Sequence, residues 1–194
     1  MIQTSPEHIS DIIKSLKKGQ VVALPTETVY GLAISLNSAQ ALEKLIYLKR
    51  RDLNSGKIFT LVPESKDTIG DYVILNKTAR EYIGKYVPGE LTIILNKNPD
   101  FSHPYFNHFS TIGIRIPASP LFAQILPETG PLLLTSANPR GDQPAISSDE
   151  IIKTLPKVDL LVEGRTKEGK LPSTVLDLTG KKPLVIRQGD LNVL

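Results

Sequence analysis

Two arginines of this chain sit inside apolar runs. Arg115 lies in Gly113-Ile114-Arg115-Ile116-Pro117, and Arg187 lies in Val185-Ile186-Arg187-Gln188-Gly189. A guanidinium on a strand face that packs into a core must be paired, because an isolated buried charge is costly. The partner is either a structural carboxylate or the carboxylate or phosphate of a ligand, and the planar fork of arginine fits both. Two such arginines are harder to explain by structural pairing than one. Thr135-Ser136-Ala137-Asn138 follows the apolar run 131–134 and offers hydroxyls and an amide to a base or to phosphate oxygens. Between the apolar runs 21–24 and 32–36 lies Pro25-Thr26-Glu27-Thr28-Val29-Tyr30-Gly31, a polar insertion too short for a helix. It is either a plain connector or a set of polar groups held at strand ends, where open sheets commonly bind ligands.

Other features are weighed the same way. Lys49, Arg51 and Lys57 surround a polar loop after a predicted helix. They read either as cations opposing the helix dipole or as cations carried to a polyphosphate by a loop containing Asn54, Ser55 and Gly56. Gly164-Arg165-Thr166-Lys167-Glu168-Gly169-Lys170 has the glycine and lysine spacing of a phosphate-binding loop. Leu171 stands where that motif needs Ser or Thr, and Pro172 forbids the helix whose N-terminus would hold phosphate, so it is rejected. His8, His103 and His108 are expected on surface helix or loop. A histidine pair without a nearby acidic pattern does not make a metal site.

The elements that must position these groups follow from patterning. Ser5-Pro6 predicts a helix start, with Ile9, Ile12, Ile13 and Leu16 on its inner face. Ser38, Asn76 and either Ser147 or Ser148 are expected to cap further helices, and Ser119-Pro120 to open another. Strands are expected over 21–24, 32–36, 58–62, 91–95, 111–116, 131–134, 158–162, 174–178 and 184–187. Alternating helices and strands without a long linker or a repeat predict a single α/β domain over 1–194, a twisted mixed β-sheet with flanking helices. A terminal hairpin around Thr179-Gly180-Lys181-Lys182 argues against a purely parallel sheet.

Composition sets wide limits. The chain has 194 residues, 40% hydrophobic and 22% charged, as expected of an ordinary soluble protein with room for a substantial core. It contains no cysteine, which removes disulfides, thiolate metal sites and cysteine nucleophiles together and fits a cytoplasmic setting. The first residues are not expected to form a signal peptide, and no apolar run approaches the ~20 residues of a membrane span. A net charge of +3 permits an anionic ligand but does not diagnose nucleic-acid binding.

In order along the chain, Pro25 to Leu32, Lys49-x-Arg51, Pro88-Gly89-x-Leu91-Thr92, Gly113 to Pro117 with Thr135 to Asn138, and Ser173-Thr174-Val175 with Arg187-x-Gly189 resemble the YrdC-like threonylcarbamoyl-adenylate synthases. The resemblance covers nearly the whole chain. It implies a single α/β domain with a basic hollow that joins L-threonine, bicarbonate and ATP into threonylcarbamoyl-AMP and pyrophosphate, feeding tRNA modification. It implies that Thr28, Arg115 and Ser173 hold L-threonine. Lys49, Arg51, Lys57, Thr111, Ser136, Asn138 and Arg187 are expected to address ATP, with Mg2+ entering on the triphosphate and no resident metal. Expected partners are double-stranded RNA or tRNA and downstream threonylcarbamoyl-transfer proteins. The chain resembles the short form, without an added C-terminal domain. Two departures are plain: Asp52 stands where a proline is usual, with Lys57 six residues after Arg51, and Phe59-Thr60-Leu61-Val62 lacks a histidine. Both resemble the YciO-like branch, whereas the intact Thr135-Ser136-Ala137-Asn138 resembles the synthase branch. The alternatives are therefore a YciO-like relative acting on a related adenylate, and a double-stranded RNA-binding or ribosome-assembly module.

Overall fold

In the computed structural model, which describes residues 1–51 and 59–194, the chain begins with β1 (Ile2–Thr4), α1 (Ile9–Lys17), β2 (Val22–Leu24), β3 (Gly31–Ser35) and α2 (Ala39–Lys49). The middle runs β4 (Thr60–Val62), α3 (Ile69–Tyr72), α4 (Lys77–Tyr86), β5 (Leu91–Asn96), β6 (Thr111–Ile114) and α5 (Pro120–Thr129). The remainder is β7 (Leu132–Ser136), α6 (Ser148–Thr154), β8 (Leu160–Val162), β9 (Thr174–Asp177) and β10 (Leu184–Arg187).

All the strands join one sheet in the order β1-β8-β2-β3-β7-β4-β6-β5-β9-β10. β1 and β2 flank β8 in parallel, and β4 with β6 and β5 with β9 are also parallel; the other neighbours are antiparallel. The sheet is mixed, and β9 and β10 form the expected terminal hairpin. The centre of the sheet reads as nearly continuous buried apolar residues, as strands covered on both faces do (Leu32, Ala33, Ile34; Leu132, Leu133, Leu134). α1 turns Ile12 and Leu16 into the core and packs against α5 and over β2, β3 and β8.

Capping follows the expected chemistry at three helices. Ser38 accepts from the Ala41 amide, Asn76 from Ala79 and Ser147 from Glu150. The first helix differs from expectation: it starts at Ile9 with His8 in the cap position, while Ser5 accepts from the Glu7 amide in a local turn. The cause lies upstream, because residues 2–4 pair with β8 and the chain must then turn before a helix can form. Two short elements, β1 and α3, carry too few residues to show a period. Arg115 falls one residue beyond β6, and its amide donates to the Leu61 carbonyl at 3.1 Å.

Candidate functional site

The loop between β2 and β3 is tied into one conformation by its own hydroxyls. Thr26 Oγ1 donates to the Val29 carbonyl at 2.7 Å and accepts from the Thr28 amide at 3.1 Å. Because that proton is committed, the 2.9 Å contact between Thr26 Oγ1 and Thr28 Oγ1 must carry the proton of Thr28. A lone pair of Thr28 is thereby turned to Arg115, whose Nη2 donates to it at 2.9 Å. The same nitrogen meets Glu27 Oε1 at 3.0 Å, and Nε donates to the Gly89 carbonyl at 3.1 Å. Tyr30 closes the loop by donating from its hydroxyl to the Val162 carbonyl at 2.9 Å, and burial pushes its pKa up to about 12.

Arg115 is thus paired within the protein and still reaches a space that a ligand could enter. It has a structural carboxylate, Glu27, and it also borders a cavity of about 580 Å3, within the usual range for a small-molecule site. β3, β4, β5, β6, β7, β9 and β10 all contribute to the walls of this cavity. Arg187 enters from the edge strand. Its Nε and Nη2 donate to the Ser173 carbonyl at 3.0 and 2.8 Å, and Nη2 also reaches the Ser173 hydroxyl at 3.1 Å. Burial, and then the like charge of Arg115, hold Arg187 below the ordinary arginine pKa. Two guanidiniums thus face one space, a field that draws in anions.

Behind Ser136, Lys49 is only 4% exposed and keeps its ammonium away from water. It donates to the Ser136 carbonyl at 2.6 Å and to Asn138 Oδ1 at 3.0 Å, and Ser136 Oγ donates to the same Oδ1 at 2.6 Å. Burial first, and Arg51 second, push the pKa of Lys49 down to about 7. Arg51 lies 4.2 Å from the centroid of the Phe59 ring, which itself stacks on Tyr105. The Tyr105 hydroxyl accepts from the Phe59 amide at 2.8 Å, so that stack is fixed at both ends.

Of the residues singled out from sequence, Arg51, Thr111, Arg115, Ser136, Ser173 and Arg187 line the cavity. Thr28 stands behind Arg115, and Lys49 and Asn138 stand behind Ser136. Lys57 lies outside the described residues. His108 lies exposed in a turn, as expected, and also belongs to the cavity wall with Phe109. Glu27, Tyr30, Phe59 and Thr92 also matter to the site and were given no role from sequence. Thr92 had a signal in the Pro88-Gly89-x-Leu91-Thr92 pattern, whereas the partner of Arg115 depends on contacts 88 residues apart. Among the described residues no group of three or more His, Asp or Glu side chains is placed to hold a metal, and no helix is long and apolar enough to cross a membrane.

A family model for Sua5, YciO and YrdC proteins, described as telomere recombination, matches residues 14–189. A Methanocaldococcus jannaschii protein with the provisional name threonylcarbamoyl-AMP synthase is 34% identical, the alignment spanning 96% of this chain and 90% of that protein. The crystal structure of Escherichia coli YciO is 27% identical with a TM-score of 0.85, covering 98% of this chain and 95% of that one. The structure of Pyrococcus abyssi Sua5 complexed with L-threonine has a TM-score of 0.86 at 23% identity. This chain spans 57% of that Sua5 chain, and the likeness shows a common fold. On the extent of the family match and the identity to the archaeal relative, the chain belongs to the Sua5/YciO/YrdC family.

Proposed function

We propose that the protein is an L-threonylcarbamoyladenylate synthase, a nucleotidyltransferase acting on L-threonine, bicarbonate and MgATP. The observation that carries this reading is the shared cavity of Arg115 and Arg187, bordered by the hydroxyls of Thr111, Ser136 and Ser173. That arrangement suits two anionic substrates held side by side. The relative named for this activity and the Sua5 structure holding L-threonine support the same reading.

In this mechanism Arg115, oriented by Thr28, takes the threonine carboxylate with Ser173. Arg51, Lys57, Thr111, Ser136 and Arg187 address ATP, while Lys49 and Asn138 hold Ser136 in place. Bicarbonate takes up a proton and loses water to give carbon dioxide. The neutral threonine amine attacks it, forming the N–C bond and releasing a proton to solvent. A carbamate oxygen then attacks the α-phosphorus, the bond to the β-phosphate oxygen breaks, and pyrophosphate leaves. No covalent intermediate with the protein is needed; alignment of two anions and stabilisation of the charge gathering at phosphorus supply the acceleration. Magnesium arrives with the triphosphate as part of the substrate. In this reading residues 1–194 act as one domain in the cytoplasm, and the adenylate passes to threonylcarbamoyl-transfer proteins.

The test is pyrophosphate release by purified protein with ATP, bicarbonate and labelled L-threonine. Release that depends on all three, with label recovered in an adenylate, is expected. Release indifferent to L-threonine overturns the reading.

A further inference from the structure

We propose that Thr92 is a positioning residue of the amino-acid site, which sets the Ser173 hydroxyl so that the pair presents one O–H donor to the carboxylate of the substrate. The inference rests on the synthase reading and deepens it. Thr92 lies on β5 and Ser173 immediately before β9, two parallel neighbours in the sheet. Both are buried, at 6% and 4% exposure, and both border the cavity. Their hydroxyl oxygens are 2.8 Å apart.

Counting protons shows what this contact leaves over. The two hydroxyls bring one proton each, and the bond between them uses one. Arg187 supplies its own hydrogen to Ser173 Oγ at 3.1 Å, so it consumes a lone pair and no hydroxyl proton. One O–H proton remains, and no acceptor for it lies among the described residues. Both residues border the cavity, so a ligand oxygen placed there can accept this proton. The sign of that ligand is set by its surroundings: an ammonium between Arg115 and Arg187 is repelled, whereas a carboxylate is drawn in.

The rotamer of Thr92 is supported from the other side. The Thr92 methyl lies toward Gly113 on the neighbouring β6, 3.6 Å from where a Cβ there would stand, an ordinary van der Waals separation, and the hydroxyl faces Ser173 beside β9. A β-branched side chain packed in this way holds its χ1. Serine alone at position 173 would rotate; paired with Thr92 and Arg187 it does not.

The experiment is a comparison of ligands against variants by calorimetry, using L-threonine and L-threoninol, which keeps the amine but replaces the carboxylate with an alcohol. Thr92→Val preserves shape and removes the hydroxyl. It should weaken L-threonine about five- to tenfold, within the usual range for one lost hydrogen bond between neutral groups, and change L-threoninol by less than about twofold. Thr92→Ser should restore the wild-type preference, and melting curves of both variants establish that they are folded. Equal weakening of the two ligands, or no weakening of L-threonine, overturns the inference while wild-type turnover leaves the synthase reading standing. Wild-type protein that binds no L-threonine overturns both.

Discussion

Arg187 holds Ser173 by three donated hydrogen bonds, two to its carbonyl at 3.0 and 2.8 Å and one to its hydroxyl at 3.1 Å. An edge strand thereby fixes the start of its neighbour, and the same guanidinium keeps a face toward the cavity. The fork geometry, more than the charge, accomplishes this. Lysine at 187 would retain a cation but could not span carbonyl and hydroxyl together. Arg187→Lys is expected to lower kcat/KM for adenylate formation by at least about tenfold with a small change in melting temperature. Steady-state kinetics with near-wild-type turnover in this variant would show that the fork is dispensable.

Glu27 and Arg115 make a second prediction. Their side chains are 18% and 8% exposed, and Glu27 Oε2 has no hydrogen-bond partner among the described residues. Removing the carboxylate leaves a buried guanidinium uncompensated, a change that typically costs about 3–5 kcal/mol. Glu27→Gln should therefore lower stability to urea by a few kcal/mol, with the amide recovering part of the lost bonding. An anion that binds Arg115 replaces the missing charge, so saturating L-threonine should stabilise Glu27→Gln more than it stabilises the wild type. Equal ligand-induced shifts in the two proteins would place the amino-acid carboxylate elsewhere.

The sequence was informative where local chemistry decides structure. Ser38, Asn76 and Ser147 each cap the helix that their position predicts, and Arg115 and Arg187 converge as two embedded cations ought to if they serve one anion-binding space. It was silent or misleading where distant contacts decide. Ser5-Pro6 carries every local mark of a helix start, yet pairing of Ile2–Thr4 with Leu160–Val162 overrides it. Glu27 gives no sign in its own neighbourhood that its partner is Arg115, and Thr92 none that it touches Ser173. Lys49 reads as an exposed helix end, but the left-handed turn at Arg50 (φ 46°) ends the helix with that ammonium turned to Ser136.

Gly189 tests how closely the C-terminal segment must approach the site. A Cβ there would collide with the Pro172 carbonyl and stand 2.8 Å from the Thr174 amide and 3.0 Å from the Ser173 carbonyl carbon, all of them backbone. Gly189 also donates its amide to Thr174 Oγ1 at 3.0 Å, so the contact cannot simply open. Gly189→Ala must move the segment 172–174 that carries Ser173. Loss of L-threonine affinity larger than about tenfold is expected, together with destabilisation on the order of 2 kcal/mol. Calorimetry on this variant returning wild-type affinity would mean that the segment shifts without disturbing Ser173.

Lys49 gives a pH dependence of definite sign. Its pKa falls from 10.5 to about 7 on folding, chiefly because burial disfavours the charged form, with Arg51 adding like-charge repulsion. Between those values the unfolded chain carries a proton on this lysine that the folded protein has released. Stability must therefore rise with pH across this window, and the penalty of burying the charge is present in full below about 7. Among the described residues the groups that accept from the ammonium are the Ser136 carbonyl and Asn138 Oδ1, both neutral, and no acidic group there offsets the effect. Lys49→Met removes the titration, and it should gain stability relative to wild type on the order of 3 kcal/mol at pH 6 compared with pH 9.5. Urea unfolding of both proteins at the two pH values measures this difference. A constant gap would mean that Lys49 keeps its proton in the fold, and a polyphosphate bound nearby would then draw no proton from solvent when it arrives.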